Sequence, residues 1–428
     1  QVIDNEKPDY LVINDDGFNY LTKMCLTNMR QAAFRMARIG KENNIKVIAS
    51  SSDAADHYEK YIRHGVDFIV IGEGEITLKE LLDTIEIGHT VSNIQGIIYK
   101  KEGDTIVNPK RTVLLNLDDL PLPAWDLVDI DSYRTIWNSG DKEFTLNMVT
   151  TRGCPFKCNW CAKPIYGNRY NSHSVQYIAN HISYLQENYG VNKFWMCDDI
   201  FGLKPNWVQE FNQELKKRSL KIKYYIQSRV DLLLKEDTID ALVESGLEEV
   251  WVGAESGSQT ILDAMDKGTT VKQIYEATSL LKEKNISVAF FIQFGYLGET
   301  KEDIDKTIHM IKELQPDNLG ISVSYPLPGT KFYEKVKDDL KLKANWTDSD
   351  DLAMMFKGTY HSKYYKKLHR YVHKEYRKSQ AITNFKKVLK MPFKTTKSEL
   401  RSMLLLLYYV LFAFINKVQL KKFQHSHA

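Results

Sequence analysis

The sequence predicts an α/β protein. A partial, TIM-like (β/α)6 barrel over residues 141–345 is preceded by an incomplete doubly wound unit over 1–88 and followed by a basic, mainly helical region over 346–428. Three observations predict this. Short β-branched runs alternate with helical stretches in two blocks, with six rounds in the second. LDDLPLPAWDLVD (117–129), rich in proline and turn residues, separates the blocks and places the boundary within a linker over 89–140. Beyond residue 360 the charge changes: 361–428 holds 16 Lys/Arg against Glu375 and Glu399, on a chain of net charge only +3.

The 428 residues, 43% hydrophobic and 26% charged, allow two or three domains with ordinary cores. Five cysteines in so long a chain, three of them in one cluster, point to a reducing, cytoplasmic setting. Residues 1–20 mix Asp, Lys and Asn with short apolar runs, unlike a secretory signal. Strand-like material begins at Tyr10, so the reading expects a chain that starts inside its first domain.

In the first block, YLVIN (10–14), IKVIAS (45–50) and DFIVIG (67–72) read as buried parallel strands with helices between them. IQGIIYKKEGDTIVNP reads as a small β connection. In the second block the strand candidates are 144–151, 193–199, 222–229, 248–256, 286–295 and 318–326, again separated by helical stretches. Parallel strands with polar or glycine-containing segments after them predict a site at their C-terminal ends.

TTRGCPFKCNWCAKPIYG (150–167) follows the first strand of the second block and packs Cys154, Cys158 and Cys161 into eight positions. A structural zinc site wants four ligands, usually in two separated pairs, and a disulfide framework wants an even count in a short secreted chain. Three thiolates suit an iron–sulfur cluster with one iron left open. Gly153 and Pro155 favour an irregular loop in which three sulfurs converge.

CPFKCNWC matches the CxxxCxxC signature of radical S-adenosylmethionine (SAM) enzymes, including the aromatic Trp160 before the last cysteine. The resemblance implies that Cys154, Cys158 and Cys161 hold a [4Fe-4S] cluster, whose open iron is chelated by the amino and carboxylate groups of SAM. It further implies reductive cleavage to methionine and a 5′-deoxyadenosyl radical. Later segments agree in order. Asp198 and Asp199 in CDDIFG would lie near the SAM amino group, Arg229 in QSRVD near its carboxylate, and Glu255 and Ser256 in GAESGS at its ribose. Gly295 and Gly298 in QFGYLGET resemble the SAM-adenine segment. No catalytic residue is singled out. Cys197 adjoins the Asp pair at a strand end, and Cys25, in a helical stretch, reads as core.

The order of half-domain, linker and barrel resembles the cobalamin-binding radical SAM subgroup, which contains the anaerobic magnesium-protoporphyrin monomethyl ester cyclase and many C-methylases. Within it, Gly72, Glu73 and Gly74 of GEGE (72–75) follow a strand and open a helix, where backbone amides suit a nucleotide tail or phosphate. The incomplete, Rossmann-like first unit would then be of cobalamin type. The resemblance implies cobalamin-dependent C-methylation, with oxidative cyclisation of a porphyrin-like or other lipophilic substrate as the alternative. A non-catalytic iron–sulfur redox protein is the rival from another class. A small-molecule substrate and a reductant such as flavodoxin or ferredoxin are the implied partners.

In the tail, Met403 to Ile415 is an uninterrupted apolar run of thirteen residues, short of the ~20 that cross a bilayer. With Lys417, Lys421 and Lys422 beside it, 398–422 reads either as a helix lying on anionic lipid or as one packed on the barrel. It lacks the Gly and aromatic pattern of an RNA platform, so no nucleic-acid partner is expected.

Overall fold

The computed structural model describes residues 2–14, 26–138, 143–163, 165–340, 352, 354–390 and 396–424. Cys25 lies outside them. Two sheets, the first mixed and the second parallel, organise the chain. The first runs β1 (Tyr10–Ile13), β2 (Lys46–Ser50), β3 (Phe68–Val70), β4 (Ile97–Lys101) and β5 (Asp104–Val107), in that spatial order. β1 to β3 are parallel, and β4 and β5 continue the sheet antiparallel. The segment expected as a linker over 89–140 therefore begins inside the first unit, because the apolar run Ile97–Tyr99 is buried against β3.

Side chains alternate across this sheet, as strand geometry requires. Val47, Ala49 and Ile69 pack against Phe34, Ala37 and Tyr61 on one face, while Ile48, Val70 and Ile97 meet Leu81 on the other. Helices thus cover both faces. A buried ion pair crosses the first face: Arg30 Nε donates to Asp53 Oδ2 at 2.7 Å, and Tyr61 donates to the same oxygen at 2.8 Å.

The second sheet contains six parallel strands. They are β6 (Leu146–Met148), β9 (Lys193–Met196), β10 (Lys223–Ser228), β11 (Leu247–Glu255), β12 (Ser287–Phe294) and β13 (Asn318–Val323), paired in sequence order. A short antiparallel pair, β7 (Thr151–Arg152) and β8 (Asn171–Ser172), brackets the cysteine loop. Each crossover helix adds the next strand on the same side, so the sheet advances as an arc of a barrel.

The helices carry their start and stop signals locally. Val175–Tyr189 is capped by Ser174 and ends at Gly190 with φ 62°, and it buries Val175, Ile178, Ile182 and Leu185 on one stripe. Val271–Glu283 and Lys301–Leu314 both begin with capping boxes, Thr270/Gln273 and Thr300/Asp303. The strand expected over 144–151 breaks after Met148, because the Asp198 carboxylate takes the amides of Thr150 and Thr151.

In the C-terminal region the long helix Ser362–Lys390 closes against the barrel, with Tyr364, Tyr365, Leu368, Val372 and Tyr376 in the main core. Tyr376 donates to the Pro316 and Asp317 carbonyls at the entry to β13, at 2.8 and 2.6 Å. The helix that packs on the barrel is therefore this one. The apolar run of the tail lies in Lys397–Leu404 and Leu406–Gln424, stacked on the outside of it. No helix among the described residues is long and apolar enough to cross a membrane.

Candidate active site at the barrel strand ends

A cavity of about 190 Å³, measured to the centres of water-sized molecules, opens at the C-terminal ends of the barrel strands. The three clustered cysteines line it together with Trp160, Asp198, Asp199, Arg229 and Glu255. One loop delivers the thiols. Gly153, at φ +81°, lies where a Cβ would sit 2.2 Å from the Arg169 carbonyl oxygen, so only glycine lets the loop turn inward beside Cys154. The Lys163 ammonium donates to the Phe156 carbonyl and, at 2.8 Å, to Asn168 Oδ1, which closes the loop on itself.

Asn159, between the second and third cysteines, fixes the loop to the rest of the barrel. Its amide N–H donates to Met265 O at 3.0 Å, its side-chain amide to Ala264 O at 2.7 Å, and its carbonyl accepts from Phe332 N at 2.9 Å. Tyr296 OH donates to Asn159 Oδ1 at 2.7 Å. Asn159 is not legible in the sequence, since an asparagine in a loop carries no spacing signal.

Burial pushes the Cys154 thiol up and the Cys161 thiol up to about 12, so without compensation both stay protonated. The Lys163 ammonium in the cavity wall pulls both part of the way back down, and Lys267 stands beside Cys158. Lys267 Nζ donates to Glu255 Oε1 at 2.8 Å, with both side chains buried. Burial alone would lower the Lys267 ammonium, but Glu255 and then Cys158 outweigh it and hold it above its ordinary range. Gly253 makes room for this pair: a Cβ there would fall 2.6 Å from Lys267 Nζ. Glu255 itself has φ +56°, and the β11–β12 register shifts between Gly253 and Glu255. The irregularity re-aims its carboxylate into the cavity. Lys267 was not expected, because it lies in the loop after the helix Gln259–Ala264 rather than at a strand end.

Arg229 stands in the wall but is well engaged. Nε and Nη2 donate to the Asp231 carboxylate at 2.9 and 3.2 Å, Nη1 to Lys267 O at 3.0 Å, and the guanidinium lies 3.7 Å over the Phe156 ring. Three of its five N–H groups are thus used. Asp198 accepts from Thr150 N and Thr151 N, both at 2.7 Å, and from Thr150 Oγ1 at 2.5 Å. Burial pushes it up to about 6, against those hydrogen bonds. It shapes the strand end before the cysteines. Asp199 is exposed to solvent at the cavity mouth, yet its surroundings desolvate it enough to raise its carboxyl as well.

The remaining expected residues lie elsewhere. Ser256 is fully buried and pairs with Thr307 Oγ1 at 3.1 Å, tying β11 to the helix Lys301–Leu314. Gly295 packs under Met354 and Tyr365, and neither it nor Gly298 lines the cavity. Their segment reaches the cysteine loop through Tyr296. Gly72, Glu73 and Gly74 form the turn after β3. Glu73 accepts from Arg152 Nη1 at 2.8 Å and from Leu114 N at 2.5 Å, and Glu75 accepts from Arg152 Nη2 at 2.5 Å. The turn clamps the first unit to the start of the cysteine loop.

The lower wall comes from alternate residues of the strands: Gln227, Trp251, Phe291, Gln293 and Ser322, with Cys197. Trp251 and Phe291 lie 4.7 Å apart between ring centroids. A Cβ on Gly320 would come within 3.3 Å of both rings, so this glycine admits them.

Among the described residues no three His, Cys, Asp or Glu side chains converge as a single metal ion requires. Three thiols on one loop that lines the cavity suit an iron–sulfur cluster, in which each cysteine holds a different iron. Fold and site together define an α/β-barrel enzyme of the cofactor-dependent kind.

The comparisons identify which kind. The Radical SAM superfamily model matches residues 148–311. An uncharacterized methyltransferase of Pyrococcus horikoshii is 31% identical over 326 residues, 75% of this chain and 70% of that one. The chain belongs to the radical SAM superfamily and is an enzyme. It is also similar to the anaerobic magnesium-protoporphyrin IX monomethyl ester cyclase of Rubrivivax gelatinosus, at 26% identity over 72% of this chain and 57% of that one. The fold matches the radical SAM methyltransferase TsrM of Kitasatospora setae, with TM-score 0.65 and 18% identity over 77% of this chain and 64% of that one. It matches the cobalamin-dependent radical enzyme OxsB with TM-score 0.72 and 16% identity, over 97% of this chain and 65% of that one. The chain thus spans just over half of the cyclase and somewhat under two thirds of each solved structure.

Proposed function

We propose that the protein binds a [4Fe-4S] cluster and SAM at the barrel strand ends and uses them for cobalamin-dependent methylation of an unactivated carbon. The observation that carries this reading is the set of three thiols on one anchored loop, facing two buried cations across a single cavity. Cys154, Cys158 and Cys161 would hold the cluster, beside the Lys267–Glu255 and Arg229–Asp231 ion pairs and the Lys163 ammonium. When bound, the cofactors supply the radical that opens the C–H bond and the methyl group that replaces the hydrogen. The chain's own part is placement. Asn159 and Asp198 hold the loop, Glu255 and Asp199 present carboxylates to a cationic or hydroxyl-bearing ligand, and Trp251 and Phe291 exclude water below it.

Methyl transfer enters through the methyltransferase relative, and cobalamin through the TsrM and OxsB structures, which hold it. The first unit supports it by position: Gly72, at the end of β3, lies against Ile165, which lines the cavity. A ligand held on the C-terminal ends of that sheet would adjoin the barrel mouth. Oxidative cyclisation is the second reading, favoured by the aromatic floor of the cavity and by the cyclase relative.

Anaerobic cluster reconstitution followed by SAM, reductant and methylcobalamin tests the proposal. 5′-Deoxyadenosine together with S-adenosylhomocysteine is the expected result, and Cys158→Ala lowers both by at least about 100-fold, as loss of a group essential to the reaction does. Deoxyadenosine alone would favour cyclisation. Neither product from a fully loaded cluster would overturn the reading.

A further inference from the structure

The tail keeps an apolar ridge in water. In Leu406–Gln424, Leu407, Leu411 and Phe414 recur at spacings of four and three residues, so they share one side of the helix, and they are 82%, 55% and 65% exposed; Leu404, at the end of Lys397–Leu404, is 77% exposed. Phe385 and Leu389, in the last turns of Ser362–Lys390, are exposed as well. The opposite side, turned to that long helix, carries Ala413 and Asn416, with Leu420 and Phe423 packed against the core. An apolar surface of this kind marks a binding face.

Charge indicates what covers it. Arg401 precedes the ridge, Lys417, Lys421 and Lys422 follow it, and Lys386 and Lys390 stand on the neighbouring helix, all exposed. Residues 361–428 hold 16 basic side chains and two acidic ones. A second copy of this chain would bring two such regions together against their mutual repulsion. An anionic lipid surface attracts the lysines and receives the leucines and Phe414 in the same act. Since no described helix can span a bilayer, the helix would lie in the plane of the surface.

We infer that Leu406–Gln424, with the end of Ser362–Lys390, docks the enzyme on a membrane leaflet rich in anionic phospholipid. The inference stands apart from the chemistry at the barrel. It also gives a lipophilic substrate a place from which to be drawn.

Vesicle co-sedimentation of the full chain tests it, using phosphatidylcholine alone and phosphatidylcholine mixed with phosphatidylglycerol. Binding at least about tenfold tighter to the mixed vesicles, weakened by salt, is expected for a helix held by both apolar insertion and charge. The variant L407D/L411D/F414D loses the binding on both, and K417E/K421E/K422E loses the preference for the anionic mixture. Elution and deoxyadenosine formation unchanged from the parent chain show that these variants still fold. Equal binding to both vesicles, or none, overturns the inference. So does a concentration-dependent dimer that L407D/L411D/F414D breaks, which would make the ridge a self-interface.

Discussion

Two turns in this molecule look alike in sequence and behave differently. GEGE (72–75) follows β3 of the first sheet, and CDD (197–199) follows β9 of the second; each sets acidic residues at the end of a parallel strand. In the first, Glu73 and Glu75 are both taken by Arg152, and Glu73 also by the Leu114 amide. In the second, Asp198 is taken by two amides and a hydroxyl, while Asp199 stays open to the cavity. An acid at a strand end is therefore a ligand candidate only where no guanidinium or backbone amide docks across from it. The partner that decides this lies on another element.

Substitutions at four places probe that difference. The largest effect is expected at Glu255 and Lys267, where the partner is a buried cation. Lys267→Met leaves a buried carboxylate unpaired and should cost about 3–5 kcal/mol in urea unfolding, the usual penalty for breaking such a pair. Adding Glu255→Gln should recover most of it. A cost under about 1 kcal/mol, at the level of an exposed pair, would mean that water already reaches the pair.

Glu299, after β12, is fully buried and accepts from Gly295 N at 2.6 Å. Burial pushes its carboxyl from 4.5 up to about 8. The native state then keeps a proton that the unfolded chain releases, so stability is lost as pH rises from about 4.5 through about 8. At a limit of about 1.4 kcal/mol per pH unit, Glu299→Gln should remove up to roughly 2–3 kcal/mol of the loss between about pH 6 and pH 8. Thermal melts across that range give the slope, and parallel curves for the two proteins would refute the assignment.

Asp198→Asn keeps one acceptor oxygen for three donors and should cost about 1–3 kcal/mol. It should also lower the iron retained by the cysteine loop after gel filtration, which Asp199→Asn should not do.

Arg152→Ala should have the smallest effect, about 1 kcal/mol, because Glu75 is half exposed and recovers water while Glu73, 10% exposed, keeps the Leu114 amide. Its diagnostic consequence is faster proteolysis between the two units, at 108–130. Unchanged cleavage there would mean that the clamp does not hold them.

The strand–helix rhythm and the cysteine spacing made much of this architecture legible in advance. Parallel strands buried on both faces must be apolar runs, and their connections must lie at the ends, so both the sheets and the end that carries polar residues can be read along the chain. That is why the cysteines, Trp160, Asp199, Arg229 and Glu255, which line the cavity, are legible in the sequence. Asn159, Arg152 and Lys267 are not. Asn159 meets Tyr296 across 137 residues, and Arg152 meets Glu73 across 79. Lys267 reaches Glu255 only because a strand irregularity and Gly253 open the space. The same holds for the tail, whose composition was compatible with burial or exposure. Ser362–Lys390 already fills the place against β13, and this leaves the apolar ridge outside.

By itself, then, the sequence determined the two α/β blocks, the thiol loop and the basic tail, because periodicity, spacing and composition are local properties of a chain. Only the tertiary structure decided which strand-end acids face the cavity, which cation stands beside the cysteines and which apolar helix meets solvent. Those outcomes depend on what packs opposite each residue, and opposite residues are distant in sequence.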